Sequence, residues 1–138
     1  YSGHPASCAA GLATLDILEE TGIIEQDVLE LAPYFASRLT ELADHPIVGQ
    51  VRVKGLFAAV ELVRDKSTRE RLAPESAAAV YCRDTAITEG LMVRQTGDAM
   101  IMAPPFVTER SEIDFLVDQL AAALDRTGQH YGVIPTAA

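Results

Sequence analysis

The strongest strand signal in the chain is LFAAVELV, at residues 56–63. This run is apolar, contains residues that favour strands and has the length of a single strand. A valine-rich stretch, residues 48–53, precedes it, and Gly55 between the two indicates a turn or a bulge. The sequence therefore predicts two consecutive strands in this part of the chain.

A second pair of strands is predicted further along the chain. Residues 91–94 and 99–102 are short apolar runs, and Gly97-Asp98 between them is typical of a hairpin turn. Pro104-Pro105 ends the second run. Together with the first pair, these runs predict an antiparallel sheet of three to four strands.

Four segments carry apolar residues at helical spacing, with residues that begin or end helices at their boundaries. They are residues 5–20 before Gly22, 26–43 with Pro33 inside, 75–89 before Gly90, and 109–126 after Thr108 as N-cap. Pro33 predicts a kink or a later start of the second helix. This order of helices and strands predicts an α+β fold, in which the small antiparallel sheet is covered by helices.

Length and composition are those of one globular domain. The chain has 138 residues, of which 49% are hydrophobic and 22% charged, which excludes a disordered tail, a collagen-like rod and a disulfide scaffold. The net charge is −9, and residues 1–50 hold eight acids against one base, Arg38. This acidity argues against nucleic acid and anionic membranes as partners. We find no apolar stretch near the roughly 18 residues that span a bilayer.

The cysteines and histidines suggest no metal site. Cys8 and Cys82 are far apart in the sequence and each lies in an apolar helical pattern, which predicts two buried small side chains and a reducing, cytoplasmic location. The three histidines are also far apart. The chain begins with Tyr1 rather than Met, so we expect either a processed protein or a piece of a longer one.

The charged residues offer one candidate binding group. Lys54 and Lys66 are the chain's lysines, and both are predicted on the surface, so a covalent catalyst is not expected. Arg94 follows an apolar run and precedes a turn, where its planar guanidinium can bind a carboxylate. The alternatives are an ordinary exposed arginine or one paired with Asp98.

A second candidate site is the segment YSGHP, residues 1–5, which precedes the first helix. Free backbone N–H groups and the helix dipole favour an anion such as phosphate at this position. The alternative is a plain helix start with Ser2 as its cap or close to its cap.

Several motifs, in order along the chain, resemble the class III pyridoxal-phosphate-dependent aminotransferases of the ω-transaminase type. YSGHP at residues 1–5 is followed by an alanine-rich helix, and VRVKGL at 51–56 precedes VELV at 60–63. GLMVRQTGD at 90–98 is followed by APP at 103–105. Each motif alone is weak, but their common order covers nearly the whole chain.

The resemblance implies the C-terminal small domain of a fold type I aminotransferase. Residues 1–25 would then be a linker helix entering the domain, residues 26–128 the domain itself and residues 129–138 a frayed tail. It also implies pyridoxal 5'-phosphate as cofactor, bound to a lysine of a large domain that precedes this segment. The implied partners are that large domain and a second subunit of a homodimer.

The resemblance also implies roles for individual residues. Arg94 matches the family's arginine that binds the substrate carboxylate, and Tyr1 and Ser2 lie next to the family's contact with the cofactor phosphate of the neighbouring subunit. No catalytic residue is expected within this chain. The parent would transfer an amino group from an amine or amino acid to a keto acid such as pyruvate. The alternative is a non-enzymatic, stand-alone interaction or carboxylate-binding domain.

Overall fold

The computed structural model describes residues 2–136 and contains four helices and four strands in that range. The helices are α1 Pro5–Thr21, α2 Leu29–Thr40, α3 Ala77–Thr88 and α4 Arg110–His130, and the strands are β1 Val48–Lys54, β2 Phe57–Leu62, β3 Arg94–Thr96 and β4 Ala99–Met102. A short π-helical turn, Ile24–Val28, precedes α2, and 3-10 turns follow α2 and precede α3.

The four strands form one antiparallel sheet in the order β1-β2-β4-β3. Alternate residues of β2 and β4, among them Val60, Leu62 and Met100, face the helices and are buried. The opposite face, here called the open face, carries a cross-strand row formed by Arg52, Ala59, Ile101 and Arg94. The predicted α+β class with a small antiparallel sheet is therefore confirmed.

The hydrophobic core lies between the helix-facing side of the sheet and the apolar stripes of three helices. Its members on α2 are Leu31, Phe35 and Leu39, those on α3 are Ala78, Ala79, Cys82 and Ala86, and those on α4 are Ile113, Val117, Leu120, Ala123 and Leu124. The alanines of α3 allow that helix to approach the sheet and α4 closely.

The third strand and the second helix both begin later than predicted. Backbone pairing with β4 sets the start of the strand, and helix geometry around Pro33 sets that of the helix. The third strand begins at Arg94, since residues 94–96 are those paired with β4. Residues 91–93 lie outside any strand, although Leu91 and Val93 are buried. The second helix starts later than residue 26, at Leu29, so that Pro33 lies in its second turn, near the N-terminus.

The last helix differs from its prediction at both ends. Its N-cap is Glu109 rather than Thr108, in a reciprocal capping box with Glu112. It continues to His130, whose ring stacks on Tyr81 at 4.1 Å. Val133 and Ile134 then donate backbone hydrogen bonds to the carbonyl of residue 128 at 2.8 and 3.1 Å. The expectation of a frayed tail from residue 129 is therefore wrong for residues 129–134, because these contacts fix that part of the chain against the domain.

Helix α1 is apolar but contributes nothing to the described core. Its C-cap Gly22 has φ +61°, as expected for the predicted stop, and its N-cap is His4, which accepts a hydrogen bond from the Ser7 backbone N–H. None of its residues is buried, and Leu12 and Leu15 are 65% and 58% exposed. The prediction of a buried Cys8 is wrong, because Cys8 lies on this uncovered helix, whereas Cys82 is buried as predicted.

A polar cluster joins α2 to α4 at the edge of the core. Asp114 accepts hydrogen bonds from the Tyr34 hydroxyl at 2.6 Å and from Arg38 Nε at 2.8 Å. The Tyr34 hydroxyl, followed by the Arg38 guanidinium, lowers the pKa of the Asp114 carboxyl below its ordinary value. The pKa of Tyr34 is raised, mainly by donating to the same carboxylate.

This cluster predicts a defined dependence of stability on acid. Because the pKa of Asp114 is lower in the folded chain than in the unfolded chain, its contribution is present above the unfolded value and is lost as the pH falls. Asp114→Asn should therefore flatten the decline of the unfolding free energy below about pH 5. Urea unfolding at several pH values measures this decline, and Tyr34→Phe should show part of the same effect. Parallel curves for wild type and Asp114→Asn would contradict the prediction.

Candidate functional site

A cavity of about 730 Å³ lies where the β3–β4 end of the sheet meets the segment 103–108 and the first turns of α4. Its walls are mainly apolar and include exposed side chains that no described segment covers. Lining residues are Phe57, Met92, Arg94, Val107, Glu112 and Phe115, together with the buried Leu91 and Met102. The cavity therefore combines apolar walls with one arginine.

Local packing determines where Arg94 lies. Leu91 and Val93 are buried and fix the approach to β3, whereas Met92 between them is 90% exposed and Arg94 is exposed. Backbone pairing with Ile101 places Arg94 on the open face at the edge of the sheet. Met92 and Arg94 both line the cavity.

Within residues 2–136, Arg94 forms no ion pair, whereas seven of the other eight arginines do. The alternative in which Arg94 pairs with Asp98 is wrong. The Asp98 carboxylate is instead 2.9 Å from Nε of Arg71, a residue of the connection between β2 and α3. The Arg94 guanidinium is thus free for a ligand, and its planar fork suits a carboxylate.

The second predicted site is separate from this cavity. Tyr1 lies outside the described residues. Ser2 is exposed in the turn before α1 and is not among the residues that line the cavity. The alternative with Ser2 as helix cap is wrong, because the ring of His4 accepts the Ser7 N–H at 3.4 Å.

The described residues do not by themselves form a pyridoxal phosphate site. Lys66 Nζ donates to the carbonyl of Ala43 at 2.7 Å, and Lys54 is exposed at the end of β1, so neither lysine lines the cavity. Among residues 2–136 we find neither a cluster of His, Cys, Asp and Glu suited to a metal nor a helix long and apolar enough to span a membrane. The chain's two lysines therefore lie away from the cavity.

The sequence alone did not identify the apolar walls or the partner of Asp98. Phe57, Val107 and Phe115 belong to separate segments, and their exposure becomes visible once the fold brings them together. The sequence carries no signal for the exposure of Met92, because residues 91–93 are all apolar.

Comparison with known proteins identifies the family. Residues 1–124 match the family model of class III aminotransferases. The chain is 45% identical over 127 residues to putrescine–pyruvate aminotransferase of Pseudomonas aeruginosa. This alignment covers 92% of the chain and 28% of that protein. It is 39% identical to the chloroplastic gamma aminobutyrate transaminase 3 of Solanum lycopersicum, in an alignment that covers 92% of this chain and 24% of that protein.

Solved structures agree with the sequence matches. The ω-transaminase of Pseudomonas jessenii in complex with PMP superposes with a TM-score of 0.86 and 34% identity, over 95% of this chain and 29% of that one. The PMP-bound aminotransferase of Vibrio fluvialis gives a TM-score of 0.82 and 32% identity, over 91% and 27%. The chain spans less than a third of each of these relatives. It belongs to the class III aminotransferase family.

Proposed function

We propose that this chain is the C-terminal small domain of a transaminase that transfers an amino group from an amine or amino acid to a keto acid such as pyruvate. The observation that carries the proposal is the unpaired Arg94 guanidinium at the mainly apolar cavity. In this role Arg94 binds the carboxylate of the keto acid, and the apolar walls exclude water and contact the rest of the substrate. Family membership supports the reaction class.

The cofactor is proposed to be pyridoxal 5'-phosphate, attached to a lysine of the large domain and not to this chain. When bound, it stabilises negative charge at the carbon that loses a proton. Lys54 and Lys66 both lie away from the cavity, which supports a lysine supplied from elsewhere. This chain then binds and orients the substrate, and on its own it is inactive.

The proposed partners are the large domain and a second subunit of a homodimer. The uncovered apolar side chains of α1, with Leu12 and Leu15 more than half exposed, support docking of this helix against the large domain. Tyr1 and Ser2 are proposed to reach the cofactor phosphate of the neighbouring subunit. A cytoplasmic location is part of the same proposal.

Mass spectrometry after incubation with pyridoxal phosphate and borohydride reduction tests the assignment of the lysine. Reduction converts a reversible link between lysine and cofactor into a stable adduct. The full-length enzyme should carry one adduct, on a peptide outside residues 1–138. The 138-residue chain should carry no stoichiometric adduct. An adduct on Lys54 or Lys66 in the full-length enzyme would contradict the proposal.

The second candidate is a stand-alone carboxylate-binding domain. It is favoured by the fact that the cavity and Arg94 both lie within this chain. Titration of the 138-residue chain with pyruvate in a calorimeter distinguishes the two. Saturable binding that is lost in Arg94→Ala would support the second candidate, whereas the absence of heat and of any shift in melting temperature would exclude it.

A further inference from the structure

Met92 is, at 90%, the most exposed large apolar side chain in the part of the chain that the structure describes. Its neighbours Leu91 and Val93 are buried, and Arg94 is exposed again. This alternation is typical of an extended chain, in which every second side chain points to the same side. Met92 and Arg94 thus share one side, and both line the cavity.

The backbone of this segment is held by contacts that do not involve the Met92 side chain. The Leu91 N–H donates a hydrogen bond to the carbonyl of Ala86 on α3 at 2.9 Å. The side chains of Leu91 and Val93 belong to the hydrophobic core, and Arg94 is paired with β4. The Met92 side chain therefore contributes little to the fold, and its replacement should leave the backbone of Arg94 in place.

Met92 lies within reach of a substrate that is bound by Arg94. Two residues on the same side of an extended chain are about 6–7 Å apart along the backbone, and both of these side chains are long. In a keto acid such as pyruvate, the variable substituent is attached to the carbon next to the carboxylate. A carboxylate on the Arg94 guanidinium therefore places this substituent beside the thioether of Met92. The other exposed apolar residues of the wall, Phe57, Val107 and Phe115, come from separate segments.

We propose that Met92 is a specificity-determining residue: its side chain fills the space beside the substituent of the keto acid and so limits the length of that substituent. This inference rests on the proposed function, in which Arg94 binds the carboxylate. Arg94 holds the group that all keto acids share, whereas Met92 contacts the group in which they differ. Because an unbranched thioether adapts its shape, the limit on length is graded.

Kinetics of the full-length enzyme with two acceptors test this role: pyruvate, which carries a methyl group, and α-ketocaproate, which carries a butyl group instead. The measured quantity is kcat/KM for α-ketocaproate divided by kcat/KM for pyruvate, because the concentration of active enzyme cancels in this ratio. Met92→Ala should raise the ratio about tenfold, the lower end of the effect of one methylene group in an apolar pocket. Met92→Phe fills more space and should lower the ratio, whereas Met92→Leu should stay near the wild-type value, because it keeps the volume.

Leu29→Ala is the control, because Leu29 is 65% exposed on α2 but is not among the residues that line the cavity. Its ratio should equal that of the wild type. If Met92 only packs against the large domain, Met92→Ala changes kcat/KM for both acids by the same factor, and the unchanged ratio would overturn the inference. An equal rise of the ratio in Leu29→Ala would overturn it as well.

The reference variant Arg94→Ala separates the two levels of the proposal. It should lower kcat/KM for both acids alike, since both carry the carboxylate. If it leaves both values unchanged, the proposed function fails. If it lowers both while Met92→Ala and Met92→Phe leave the ratio unchanged, only the role of Met92 fails.

Discussion

Replacing Arg94 with alanine is expected to lower kcat/KM for pyruvate about 100-fold in the full-length enzyme, because a charge-assisted contact with the carboxylate is lost. The loss should fall mainly on KM if the contact is made equally in the ground state and the transition state. For an amine donor without a carboxylate, kcat/KM of the Arg94→Ala variant should stay close to the wild-type value. Initial rates at varied pyruvate and varied amine measure both effects.

The position of Arg94 explains why its removal should have a large effect on activity. Arg94 is exposed at the edge of the sheet and lines the apolar cavity, so a bound carboxylate is partly shielded from water there. Shielding strengthens an ionic contact relative to one in bulk water. Arg94→Lys should recover part of the loss, since lysine supplies the charge but not the planar pair of donors.

Arg52→Ala is the matched control. Arg52 lies in the same cross-strand row of the open face as Arg94, but at the opposite edge, on β1. Its guanidinium is already paired with Glu61 at 3.2 Å and donates a hydrogen bond to the side-chain amide oxygen of Gln50 at 2.8 Å. Its removal should leave KM for pyruvate unchanged. An equal rise in KM for both variants would indicate a general charge effect and contradict a specific role of Arg94.

Features encoded by neighbouring residues could be predicted from the sequence. The run at residues 56–63 and the Gly97-Asp98 turn specify strands and a hairpin through local preferences, and both are confirmed. Gly22 ends α1 because its positive φ is accessible to glycine. Arg94 stands out in the sequence by its place between an apolar run and a turn, and its role in binding stays a prediction.

Features that depend on distant contacts could not be predicted in the same way. The end of α4 depends on the stacking of His130 with Tyr81 and on the return of the chain to residue 128. The exposure of Cys8 follows from the absence of any described segment against α1, although its helical pattern resembles that of a buried helix. The Arg71–Asp98 pair joins residues whose proximity follows from the sheet order.

Replacing Phe35 with alanine should produce the largest loss of stability, about 3–5 kcal/mol. Phe35 is fully buried on α2, among the core residues that join this helix to α4 and the sheet. Truncation removes its transfer free energy and leaves a cavity that the surrounding rigid elements cannot fill. Since domains of this kind unfold with about 5–15 kcal/mol, the variant should be marginally folded.

Phe115→Ala is the matched control, because it is the same substitution on a helix. Phe115, however, is half exposed at the cavity. It should cost well under half as much, since less of its surface leaves water on folding. Urea unfolding of the 138-residue chain measures both losses as shifts of the midpoint at constant slope. Equal losses would mean that the cavity wall belongs to the folding core. A large loss for Phe35 alone would separate the residues that hold the domain together from those that only line the cavity.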